Sequence, residues 1–238
     1  QGRAPAFLQV WADGIYVGAA PANGEDQALT LPDDVAAPGE ETVLAVLVHT
    51  LGQNLDWSDD GLSKQNRGLF DAVLPAEDEI IWRIQGAGAP DPERTLYNTG
   101  GLHGEREGWH LPDHDDSDWE ETDTLVADAP GVRWYRARFT LETPDGVDVG
   151  WRLALRSPRF EEGRTDACQA VLYVNGWSTG IYIGDIGPQS EFTIPAGFLE
   201  PRGENTLAVW IAAKEAGAGP ESIELVKAFT RTGAAGIR

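Results

Sequence analysis

Hydrophobic and polar positions in this chain alternate; they do not cycle with a helical period. In "RWYRARFTL" (133–141), Tyr135, Ala137, Phe139 and Leu141 fall on one face and Arg136, Arg138 and Thr140 on the other. That is the period of two expected of a strand with one face in a core. "WRLALR" (151–156) repeats the pattern, and Val43–Val48 is an apolar run of strand length. In "LYVNGWSTGIYIG" (172–184), Asn175-Gly176 separates two strand-forming flanks, and such a pair supplies the positive φ angles of a tight hairpin. No segment holds an i, i+3, i+4, i+7 apolar pattern for three turns, and 28 Gly and 15 Pro punctuate the chain at strand-like spacing. The expected fold is all-β: antiparallel jelly-roll sandwiches of short strands, with aromatics filling the space between sheets.

The chain also repeats itself. "LTLPDDVAAPGEETVLAVLV" (29–48) lies without a gap over "FTIPAGFLEPRGENTLAVWI" (192–211), and upstream "VWADGIYVG" (10–18) corresponds to "LYVNGWSTGIYIG", read with a longer turn in the second copy. Two homologous sandwich domains follow, 1–76 and 77–238, joined at the Pro- and acid-rich stretch 75–79. The first copy has few residues before it, so it is expected to lack its opening strands. Its sheet is then completed by polypeptide beyond this sequence, or leaves an edge prone to aggregation.

Charge removes whole classes of partner. With 39 acidic and 18 basic residues the net charge is −21, which repels both a nucleic-acid backbone and an anionic membrane. No apolar run approaches the roughly 20 residues of a membrane helix, so a soluble chain is expected. Cys168 is the single cysteine; it can form no intrachain disulfide and reads as a small buried hydrophobe. Methionine is absent, and the start at Gln1 has no basic segment followed by an apolar one, so it does not read as a signal peptide.

The richest polar stretch is "GWHLPDHDDSDWEETD" (108–123), with His110, Asp113, His114, Asp115, Asp116 and Asp118. Calcium is one reading of these oxygens, yet the spacing lacks the turn glycine and closing glutamate of a calcium loop. Pro112 breaks any helix that would pair His110 with His114 on zinc. The preferred reading is a solvated acidic loop leading to Trp119, a plug for the sandwich, with no cofactor. Glu40-Glu41 and Glu161-Glu162 are adjacent pairs, and neighbours on a strand point to opposite faces, so neither pair can flank one glycosidic bond. No nucleophile elbow, phosphate loop or zinc-protease motif is present. No catalytic residue is assigned.

Nine tryptophans remain. Trp11, Trp82, Trp134, Trp151 and Trp210 lie in strand-like runs and read as core; Trp57, Trp109, Trp119 and Trp177 lie in loops or turns. Trp177 at the hairpin tip and Trp109 beside His110 are the ligand-contact candidates, the alternative being caps on the domain's own edge.

"LYNTGGLHGEREGWHLP" (96–112), "GLSKQNRGLFDAVL" (61–74) and the run 172–211 closely resemble, in the same order, the C-terminal part of the large multidomain β-galactosidases of glycoside hydrolase family 35, of fungal and actinobacterial type. The resemblance implies two jelly-roll domains packed around an upstream (β/α)8 barrel that hydrolyses terminal β-galactosyl bonds with retention. The family's two catalytic glutamates lie in that barrel, and no position here matches them. It further implies a secreted protein whose partners are its own catalytic portion and a galactoside or oligosaccharide. On this view Gly100, Gly101, Asn175, Gly176, Gly187, Pro188 and Gly203 set turns, Trp109, His110 and Trp177 face the barrel or a sugar, and Arg106 beside Glu105 and Glu107 reads as a solvated surface pair, the alternative being an ion pair at a domain interface. The rival reading is an autonomous carbohydrate-binding module.

Overall fold

The computed structural model describes residues 2–3, 7–20, 26–32, 35, 41–49, 69, 72–74, 81, 83, 101–157, 166–184 and 189–232. The chain divides into two compact units, Gln1–Ile84 and Gln85–Arg238. The joint expected at 75–79 lies outside the described residues, as do Trp57, Trp82, Gly100, Glu40, Glu161, Glu162, Gly187 and Pro188.

The first unit contains β1 (Gly2–Arg3), β2 (Phe7–Ala12), β3 (Ile15–Ala20), β4 (Asp26–Gln27) and β5 (Leu44–His49). β1 pairs with β4, and the other three form an antiparallel sheet in the order β3-β2-β5. Leu8 is buried, with Val46, Val48 and Leu69 against it.

The second unit holds the short helix α1 (His103–Arg106), β6 (Gly131–Glu142), β7 (Val147–Arg156), β8 (Cys168–Val174), β9 (Trp177–Ile183), β10 (Glu191–Ile194), β11 (Arg202–Ala213) and β12 (Ser222–Thr232). They form two antiparallel sheets, β6-β11-β8-β9 and β10-β7-β12. The core between them takes Leu153 and Leu155 from one sheet and Leu172, Val174, Val209 and Ile211 from the other. Alternation decides which residues go there: Tyr135 packs on this core, while Arg136 points to the opposite face. Cys168 is buried in the same core.

β8, "CQAVLYV", is buried along its whole length. A continuous apolar run is what a strand covered on both faces requires. One face meets the second sheet; the other meets a layer built by residues 103–119.

The internal repeat holds at atomic detail. Asp13 and Asn175 both sit at φ 48°, each followed by a glycine at φ above 80°, as a two-residue hairpin turn demands. Each then clamps a distant strand in the same way. Asp13 Oδ1 accepts from Val43 N–H (2.8 Å) and Asn175 Oδ1 from Thr206 N–H (2.8 Å), while each turn residue donates its own N–H to that partner's carbonyl at 2.9 Å. Both hairpins carry a β-bulge at the same place, between Val10 and Trp11 and between Leu172 and Tyr173. The second turn is therefore not longer: Ile15-Tyr16 stands where Trp177-Ser178 does, and the extra length follows the hairpin. Gly18 lies against Leu29 and Gly180 against Phe192, again equivalent pairs.

Candidate functional site

Residues 103–119 have little regular structure of their own, and side chains of the sheet hold them in place. Arg136, with only 2% of its side chain exposed, reaches out from β6 and donates to the carbonyls of Trp109 and His114 (3.4 Å) and to Asp116 Oδ2 (2.8 Å). Arg138, two residues on and on the same face, donates to Asp116 Oδ1 at 3.0 Å. The bond from Arg136, with the further pull of Arg138, holds the Asp116 carboxyl below its usual range. One guanidinium thus secures two carbonyls and a carboxylate, which its planar fork of donors permits.

Beneath the clasp lies a buried polar triad. Glu105, 8% exposed, accepts from Tyr173 O–H at 2.5 Å and from Leu102 N–H at 2.6 Å. His110, 3% exposed, tilts against the Tyr173 ring at 5.3 Å. Burial, reinforced by Glu105, pushes the Tyr173 hydroxyl far above its ordinary value, so it remains a proton donor. Burial lowers the pKa of His110, with Glu105 opposing and Arg136 assisting, which favours the neutral imidazole.

Tryptophans complete the layer. Trp134 stacks on Tyr173 (5.5 Å, 23°), Trp109 meets Trp134 edge-on (5.9 Å) and Trp119 meets Trp109 edge-on (5.7 Å). Gly104 is where the helix passes these rings: a Cβ there would lie 2.5 Å from both Trp109 and Trp134. Only glycine allows that approach.

The candidate residues fall out as follows. Trp109 and His110 belong to this one layer, on the outer face of the four-stranded sheet. Trp119 caps the same outer face and does not plug the space between the sheets. Trp177 is elsewhere, partly exposed and stacked on Phe198 (5.2 Å, 15°). Its turn is pinned by Asn175 Nδ2 donating to the Phe198 carbonyl and to Asn205 Oδ1. Arg106 donates to the Gly101 carbonyl at 2.7 Å, while Glu105 turns inward. Gly203 lies inside β11 over Glu200, not in a turn. Sequence reasoning missed Glu105, Tyr173 and Arg136 as a set. Their one trace was an arginine on a strand face whose neighbour Trp134 is apolar.

Among the described residues no group of three His, Cys, Asp or Glu side chains comes together to hold a metal, and no helix is long and apolar enough to cross a membrane. A groove of about 1270 Å³ runs beside β6, lined by Trp119, Tyr135, Leu207 and Glu221 among others. Its arginines are engaged, Arg133 by Asp128 and Arg138 by Asp116.

The second unit is thus a two-sheet antiparallel sandwich with a third layer clasped to one face, an all-β architecture whose buried acids, Glu105 and Asp166, are held by internal hydrogen bonds. Comparison with known proteins narrows the class. Residues 103–217 match the family described as the β-galactosidase second all-beta domain. The chain is 33% identical to probable β-galactosidase C of Aspergillus niger over 95% of its length, 34% identical to probable β-galactosidase A of Emericella nidulans over 95%, and 33% identical to β-galactosidase A of Aspergillus oryzae over 94%. The similarity falls in the C-terminal region of these enzymes. The chain spans 24%, 23% and 23% of their respective lengths.

Proposed function

We propose that this chain is the non-catalytic β-sandwich portion of a secreted, retaining β-galactosidase of glycoside hydrolase family 35, and that it buttresses a (β/α)8 barrel that hydrolyses terminal β-galactosyl residues. The observation that carries the reading is similarity along 95% of the chain to about a quarter of each relative. The chemistry of the site supports it. Glu105 is the acid that the layer buries most deeply, and it accepts from Tyr173 and Leu102. A retaining glycosidase needs two carboxyl groups about 5–5.5 Å apart, flanking an open sugar site. Trp109 and His110 then hold the outer layer, and Trp177 is the position left to touch the barrel or a sugar.

The test uses the parent enzyme and the separated chain. Hydrolysis of a nitrophenyl β-galactoside is expected from the parent and absent from the chain. Removing this portion is expected to lower the parent's melting temperature and residual activity. Turnover by the chain, free of any longer species, would overturn the reading. A galactoside isotherm on the chain that vanishes in Trp177→Ala would replace it with an autonomous binding module.

A further inference from the structure

Residues 103–119 cover the outer face of the four-stranded sheet without being woven into it. Among the described residues, their backbone bonds close turns within 102–119, such as Glu105 to Leu102, Trp109 to Gly104 and Trp119 to Asp116. The next backbone tie to the rest of the sandwich comes at Ala127, which is bonded to Gly217 and Ala218. Side chains of the sheet hold the segment down in between: Tyr173 on Glu105, Arg136 on the carbonyls of Trp109 and His114, and Arg136 with Arg138 on Asp116. Two of these acceptors are acids, and His110 lies between them in sequence.

His110 is 3% exposed. Its ring faces Glu105 from α1, Arg136 from β6 and Tyr173 from β8, and Glu105 already accepts from Tyr173 and Leu102. The remaining charges of the layer are arranged around this point. Asp116 pairs with Arg136 and Arg138. His103 and His114 each meet a tryptophan of the same segment edge-on, and Arg106, Glu107, Asp113, Asp115 and Asp118 are exposed. A proton on the covered imidazole makes a buried cation near the Arg136 guanidinium, whereas the same proton on a lifted segment is in water. We infer that 103–119 is an acid-released strap: protonation of His110 favours a state in which the segment has lifted from β6 and β8 while the sandwich stays folded, baring Trp134 and Tyr173. Histidine suits the task because its ordinary pKa, about 6.5, lies within reach of mild acid. One proton taken up per release raises the lifted population by at most about tenfold for each pH unit below that value. Asp116 lets go only in stronger acid.

Hydrogen exchange in the full-length protein tests this at about pH 7, 6 and 5, each rate being divided by that of an unstructured peptide at the same pH. Opening of 103–119 is expected to rise by up to about tenfold between the two lower values and to reverse on neutralisation, while β7, β10 and β12 keep their protection. Opening that does not change with pH would overturn the proposal. So would a rise shared by β7, β10 and β12, because the sandwich itself would then be unfolding. His110→Gln is expected to abolish the rise, and a variant that keeps the wild-type slope is contrary. His103→Gln and His114→Gln are expected to retain it, and loss of the rise in either would place the responsible proton elsewhere.

Discussion

Tyr173 shows at the residue scale how a polar group can stabilise an otherwise apolar layer. Its hydroxyl serves the buried Glu105 carboxylate, and leaving a buried acceptor short of its donor costs about 1–3 kcal/mol. Tyr173→Phe is therefore expected to lose that much in urea unfolding with no change of fold. His110 sets a pH dependence. Its pKa is lowered in the folded state, so the unfolded chain takes up the proton first as pH falls below the ordinary histidine value of about 6.5. The stability it contributes is present above that pH and lost below it. Asp116, also lowered, contributes above the ordinary carboxylate range, and its share is lost as pH falls through its own depressed value. Melting temperature should decline from about pH 6.5 downward, and His110→Gln should flatten the first part of that decline. None of this was legible in the sequence. "GEREG" reads as a charged surface turn, and only the register of β6 and β8 brings Glu105, Tyr173 and Arg136 together.

Elements themselves were easier to read. The alternation in 133–141 placed Tyr135 and Leu141 inward and Arg136 outward, as the structure has them. In the ungapped repeat 29–48 over 192–211, β5 and β11 are equivalent strands, whereas 29–31, aligned with β10, form no strand. The hairpin was misaligned because two Gly-Ile-Tyr runs, 14–16 and 180–182, look alike, whereas the turn and its bulge fix a different correspondence. What alternation cannot reveal is an irregular segment held by a side chain. Arg136→Leu removes the clasp from 103–119 and is expected to cost about 2–4 kcal/mol. Hydrogen exchange should rise at 103–119 while β7, β10 and β12 stay protected. Loss of protection throughout would mean that the layer and sandwich are one cooperative body.

Over the whole molecule, the units differ in what they bury. The second has a continuous core between two sheets, whereas in the first Leu8 is buried against three partly covered neighbours. Local stability follows burial. Peptides from β2, β3 and β5 of the isolated chain are expected to exchange before those from β8 and β11, and simultaneous exchange would contradict this. The repeat was visible in the sequence, but the inequality of its two copies was visible only as a difference in length. The physical content of that difference is the exposed face of Val43, Ala45 and Leu47.

The paired clamps of Asp13 and Asn175 reach across thirty and thirty-one residues to the strands they hold. A bond over that distance cannot be inherited piecemeal, because a turn without its far strand leaves the carboxylate or amide idle. Duplication of hairpin, loop and distant strand together as one block accounts for both clamps, and the difference between their two spans is taken up in the loop between turn and strand. The clamp is the seam along which the two copies remain exchangeable: a chimaera cut at its two ends keeps each turn with its own strand, and one cut between them sets the turn of one copy against the backbone of the other's strand.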